Sequence, residues 1–152
     1  NVEGGYLRRN YPNAAIGNYT GGTGRAKLTW HPGPKTALEL TGWRDLTAYI
    51  DAESNYFVTT GARIAPTWVA SERITTSLAA SWESQKYIGS EPSVLGDPFR
   101  RDTVRSVQAN ASYLPRDPLE LDLTLRHEQR GSNRSSLTYR DNLAILGVRF
   151  TF

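Results

Sequence analysis

The chain has 152 residues, with 18 Lys and Arg residues against 15 Asp and Glu residues and a formal net charge of +3. It contains no Cys, which excludes disulfide bonds, thiolate metal sites and cysteine nucleophiles. No run of eighteen apolar residues occurs, which excludes a transmembrane helix. Because the sequence opens with neither Met nor a signal peptide, we expect a mature form or a fragment of a longer protein.

The basic residues are spread along the chain. Only three of them are Lys, and the longest basic runs are the pairs Arg8-Arg9 and Arg100-Arg101. A nucleic-acid-binding domain usually concentrates its cations in one patch. We therefore expect no nucleic-acid partner.

Apolar residues recur at every second position, most clearly near residue 120. Leu119, Leu121, Leu123 and Leu125 alternate with charged or polar residues. On a helix these side chains would spread around the cylinder, whereas on a strand they form one apolar face. The segment is therefore predicted to be a strand with one apolar and one polar side.

The same alternation predicts eight strands and no helix. In chain order they cover residues 2–9, 23–31, 36–48, 56–66, 73–87, 103–113, 118–130 and 142–152. In the third of these segments Arg44 falls on the apolar side, which indicates a rim position or a bulge. This pattern is typical of an all-β protein.

The predicted connections alternate in length. Tight turns fall at 31–34, 69–72 and 115–118, and longer polar loops at 10–22, 50–55, 88–101 and 131–141. Short turns at one end and long loops at the other are typical of outer-membrane barrels. We therefore predict an antiparallel up-and-down transmembrane β-barrel in the bacterial outer membrane, with about eight strands in this chain and lipid and lipopolysaccharide around it.

The aromatic residues favour a membrane barrel, whose apolar band faces outward between two aromatic girdles. Trp30, Trp68 and Tyr113 precede the three short turns with the parity of the apolar face, and we predict one interface ring there. Tyr56 and Trp82 are predicted for the opposite ring. The alternative is that these aromatics close the ends of a soluble core.

The polar faces carry cations and acids together, and we predict that they line the lumen. The predicted lining residues are Arg25, Lys27, Glu39, Asp45, Arg63, Arg73, Glu83, Glu120, Asp122, Arg126, Glu128 and Arg149. In an isolated eight-strand barrel they would pair and fill the interior. In a larger barrel the same residues would line a polar channel.

The final segment has apolar residues at alternate positions, among them Val148, Phe150 and Phe152. This ending resembles the C-terminal signal of bacterial outer-membrane barrels. The resemblance implies recognition by the barrel-assembly machinery.

A narrower resemblance is carried by Glu128-Gln129-Arg130-Gly131-Ser132-Asn133, by Tyr139-Arg140-Asp141-Asn142, and by the aromatic–x–Pro turns Trp30-His31-Pro32 and Tyr113-Leu114-Pro115. These motifs are similar to those of the β-barrel porins of exopolysaccharide operons, the EpsL-like proteins associated with exosortase systems. The resemblance implies a role in exopolysaccharide export and a polysaccharide as partner. Such proteins have a signal peptide and more strands, so residues 1–152 would form a single barrel domain corresponding to their C-terminal part.

The sequence offers no candidate catalytic residue, metal site or cofactor. His31 and His127 lack the spacing of a metal pair, and no Gly-x-Ser-x-Gly motif occurs. We therefore expect no enzyme activity. The alternatives are a generic porin, a small structural barrel with a filled lumen, and a barrel-embedded lipid hydrolase using His127.

Overall fold

The computed structural model describes residues 1–9, 19–48, 56–88 and 100–150. These residues form eight strands and one turn of 3₁₀ helix, Ser135–Leu137. The strands are β1 (Val2–Arg9), β2 (Tyr19–Gly33), β3 (Thr36–Ala48), β4 (Tyr56–Ser71), β5 (Ile74–Ile88), β6 (Arg101–Arg116), β7 (Leu119–Ser132) and β8 (Tyr139–Phe150).

The eight strands form one sheet in sequence order, and each strand is antiparallel to the next. This confirms the predicted all-β, up-and-down architecture. The sheet is not closed, because within the described ranges β1 and β8 make no contact with each other. The outer edges of these two strands are therefore left without a neighbouring strand in the described part of the chain.

β2, β4 and β6 extend further than the alternation predicted, whereas β1 and β3 have the predicted bounds. The turns lie at 34–35, 72–73 and 117–118, and a register shift precedes each of them. Arg73, predicted to line the lumen from a strand, instead lies in the β4–β5 turn, where its Nη1 donates to the Pro115 carbonyl at 3.0 Å. The prediction was wrong because a register shift between Val69 and Ser71 displaces the turn toward the C-terminus.

The pairing register separates the side chains into two faces. Residues directly opposite each other on neighbouring strands point to the same side of a sheet. One such row joins Leu28, Leu40, Ile64, Ala80 and Val107, and we call this side the apolar face. We call the opposite side the charged face, because it carries all nine strand carboxylates in the described residues, Glu3, Glu39, Asp45, Glu83, Asp102, Glu120, Asp122, Glu128 and Asp141.

The core of the described structure is small. Only four of its apolar residues are buried, Tyr56, Val58, Ala79 and Tyr87. Large side chains of the apolar face, such as Leu28, Leu78 and Leu125, remain exposed. An apolar surface this continuous requires a cover, and a membrane barrel is covered by lipid.

Candidate functional site

The charged face of β2, β3 and β4 is linked by ion pairs. The carboxylate of Glu39 lies 2.6 Å from Lys27 Nζ and 3.3 Å from Arg63 Nη1. Arg25 and Asp45 pair at 3.1 Å further along β2 and β3. These side chains are partly exposed, so each pair contributes about 0–1 kcal/mol to stability. Their main effect is to hold charges of both signs at fixed positions.

The middle and the short-turn end of the charged face carry a second set of links. Asn110 bonds Ser77 of β5 and Thr124 of β7, each at 3.0 Å. Glu120 accepts a hydrogen bond from Ser112 Oγ at 2.8 Å and pairs with Arg149 at 3.1 Å. The links cross β5 to β8 and keep this face polar along its length.

A buried charge cluster lies at the opposite end, where the long loops connect the strands. The Asp102 side chain is fully buried, contacts Arg100 Nη2 at 2.5 Å and lies 3.8 Å from Arg130 Nη1. Asp102 lies three residues beyond Arg105, outside the apolar stretch of β6 and at its long-loop end. Burial there disfavours its charge, but hydrogen bonds from Arg100 and Ser132 and the charges of Arg100 and Arg130 outweigh it and lower the pKa of the Asp102 carboxyl.

Aromatic rings lie among these charges. The Arg100 guanidinium is 4.1 Å from the centre of the Tyr87 ring, and that of Arg130 is 5.5 Å from the Tyr139 ring. The Tyr139 hydroxyl donates to Glu128 at 2.6 Å. Aromatic and charged groups therefore lie together at the long-loop end of the charged face.

Trp43 adds a further ring to this end of the charged face. It lies over Gly61, where any Cβ would overlap its ring. Glycine is therefore required at position 61 for the indole to lie flat against the sheet.

Sequence reasoning missed the members of the buried cluster. The strand over 103–113 was predicted to start one residue after Asp102, and Tyr139 was assigned to a loop. Asp102 has the same even parity as Gln108 and Asn110 of β6. Extending the predicted strand by one residue toward the N-terminus would therefore have placed Asp102 on its polar face.

The structure places eleven of the predicted lumen residues on the charged face and Arg73 in a turn. The eleven are Arg25, Lys27, Glu39, Asp45, Arg63, Glu83, Glu120, Asp122, Arg126, Glu128 and Arg149. Eight of them take part in ion pairs with one another or with Asp141, which Arg126 reaches at 3.6 Å. That they line a lumen stays a prediction.

The predicted interface aromatics divide into two groups. Trp30, Trp68 and Tyr113 lie on the apolar face beside the short turns, and Trp82 lies on it toward the long-loop end, all exposed. The prediction that Tyr56 belongs to the opposite interface ring was wrong. Its side chain is only 3% exposed, because it packs with Val58, Leu46 and Ile88 into a small cluster.

The height of the apolar face agrees with a membrane band. Tyr113 and Arg105 bound it on β6 and are eight residues apart, which is about 26 Å along a strand. At a tilt of about 40° this spans about 20 Å, close to the ~25 Å band of such barrels. Arg44 lies beyond the band on an unbroken β3–β4 register, so it occupies a rim position and not a bulge.

Two members of the predicted assembly signal are described. Val148 and Phe150 lie on the apolar face opposite Leu121 and Leu119. Phe152 lies outside the described residues. Recognition of this segment stays a prediction.

No cluster of three or more metal-ligating side chains occurs in the described ranges. No helix in these ranges is long and apolar enough to cross a membrane. His127 hydrogen-bonds Asn142 through its Nδ1 at 2.7 Å.

An up-and-down antiparallel sheet with an exposed apolar face and a charged opposite face defines the class of porin-like outer-membrane β-barrels. The whole chain, residues 1–152, matches the family described as "Putative beta-barrel porin 2", and the chain belongs to that family. Comparison with curated proteins gave no match, and comparison with solved structures gave none either.

Proposed function

We propose that this chain forms part of the wall of an outer-membrane pore that conducts an exopolysaccharide, and that it catalyses no reaction. Membership of the porin family supports the proposal of a pore. The polysaccharide is supported by the motifs described above, from Glu128 to Asn133 and from Tyr139 to Asn142, and by the character of the charged face.

The observation that carries the proposal is the presence of aromatic rings among charges on the face that would line the pore. Trp43 and Tyr139 lie there and are at least partly exposed. Sugar rings have apolar C–H faces and polar edges, and aromatic faces beside hydrogen-bonding groups suit both. Because the charged face carries groups of both signs, it would not select strongly for anions or for cations.

We further propose that additional strands complete the barrel. The outer edges of β1 and β8 present unpaired backbone groups in the described part of the chain. An open sheet edge is not tolerated in lipid. Closing the sheet with more strands would widen it beyond the eight-strand size at which side chains fill the interior.

The test is single-channel conductance in planar bilayers, with dextran as the probe polysaccharide and polyethylene glycol of equal hydrodynamic size as the control polymer. We expect an open pore whose current dextran blocks at lower concentration than the control polymer. Trp43→Leu should weaken the block by dextran. Trp82→Leu removes an indole from the apolar face and should leave it unchanged.

Equal block by both polymers would contradict a sugar-conducting pore and leave a generic porin. A folded protein without any conductance would favour the small barrel with a filled lumen. The specific observation that favours this second candidate is the set of ion pairs from Lys27 to Arg149, which would fill a narrow interior. Folding of every variant is checked by heat-modifiable migration in gels.

A further inference from the structure

The charges that lie on the apolar face have one sign. Every charged strand residue that the pairing places on this face toward the long loops is a cation, in the part of the chain that the structure describes. These residues are Arg8, Arg44, Lys86, Arg101, Arg105 and Arg140, and we call them the cation belt.

The cation belt is not neutralised by any carboxylate in the part of the chain that the structure describes. The cations of the charged face from Arg25 to Arg149 pair with carboxylates, but no ion pair in the described ranges involves a member of the belt. Among the described residues, Arg44 donates only to neutral oxygens, the Gly22 carbonyl at 3.2 Å and the Thr60 hydroxyl at 3.5 Å. All six side chains are exposed.

Two members of the belt are direct cross-strand partners. Lys86 of β5 lies opposite Arg101 of β6, and like charges in that position repel. Arg105 and Arg140 flank Gln129 on the strands either side of it, roughly 10 Å apart. A group with negative charge between such side chains would offset the repulsion in both places.

The belt lies at the long-loop end of the apolar face. Arg105 pairs with Trp82 at the upper limit of the apolar face, and the other members lie level with it or beyond it. Side chains at this level meet lipid headgroups, and long cationic side chains reach them from the edge of the hydrocarbon. In an outer membrane the long-loop end faces the external leaflet.

We propose that the cation belt binds the phosphate groups of phosphorylated glycolipid in the external leaflet, that is, the lipid A portion of lipopolysaccharide. Guanidinium groups bind phosphate oxygens in pairs, and the described strands place no carboxylate on this surface. The inference rests on the outer-membrane barrel proposed above. The bound lipid would fix the height of the barrel at its external rim.

The test uses the complete barrel, that is, this chain together with the strands proposed to close it, refolded into phosphatidylcholine vesicles with lipid A, with dephosphorylated lipid A, or with inorganic phosphate alone. Lipid A should raise the unfolding temperature and bind saturably, with weakening in high salt. The other two additions should not. The double variant Lys86→Gln/Arg101→Gln should bind lipid A on the order of thirtyfold more weakly.

The matched control is Lys35→Gln/Arg116→Gln, which removes two exposed cations near the short turns. It should bind lipid A as the unaltered chain does. Equal losses in both double variants, or no loss in the belt variant, would overturn the proposal. Failure of the unaltered complete barrel to refold into vesicles as a heat-modifiable species would instead count against the proposed outer-membrane barrel.

Discussion

The indole of Trp43 lies over Gly61 of the neighbouring strand, on the charged face of the sheet. A Cβ at position 61 would overlap the indole and approach the Trp82 carbonyl oxygen at 2.9 Å. The aromatic contribution to the charged face therefore depends on a residue with no side chain.

Replacing Gly61 by Ala should destabilise the folded protein by about 1–3 kcal/mol, because the indole or the backbone must move. Urea unfolding in detergent micelles measures the change. Gly131→Ala is the control, since nothing lies within 4 Å of a Cβ there, and it should cost much less. Equal costs would mean that the contact with Trp43 is not the cause.

The two faces of β8 can be compared at adjacent positions. Leu146 lies on the apolar face and is 74% exposed, and Ile145 lies on the charged face and is 50% exposed. Leu146→Arg should destabilise the protein in lipid by about 2 kcal/mol, because it places a charge in the hydrocarbon.

Ile145→Arg should be far milder, because its side chain meets a polar face. Refolding equilibria in vesicles measure both. The two exposed residues are equally apolar, so the comparison isolates the direction of the side chain. Equal destabilisation by both variants would contradict the assignment of the apolar face to lipid.

Asp102→Asn removes the carboxylate that holds Arg100 and Arg130 at the long-loop end. The loss should be about 3 kcal/mol, since removing one partner of a buried ion pair leaves the other charge uncompensated. Asp45→Asn breaks the exposed pair with Arg25 and should cost less than about 1 kcal/mol. Chemical denaturation of both variants checks this order.

Acid should remove the contribution of Asp102 selectively. Its pKa in the folded chain lies below the ordinary value of 3.8, so the stabilisation is fully present above that value and is lost as the pH falls through the folded pKa. The stability difference between the unaltered chain and Asp102→Asn should therefore shrink below about pH 4. A difference that stays constant from pH 6 to pH 3 would contradict the ionic role.

Sequence alternation predicted the strands and their faces because a strand repeats every two residues. The Leu119 to Leu125 series was sufficient to orient β7, and the bounds of β3 at residues 36 and 48 were predicted exactly. The turns were predicted too early because register shifts, as between Trp30 and Gly33, depend on pairing between strands. Arg73 was misplaced for this reason.

The sequence alone determined that the chain is an all-β protein with one apolar and one charged side, because both properties follow from local parity. Only the tertiary structure decided which charges meet. Asp102 is bound by Arg100 and Arg130 because antiparallel register brings β6 and β7 together, and Lys86 and Arg101 become neighbours through the pairing of β5 with β6. Such contacts depend on register between distant segments, which no local period encodes.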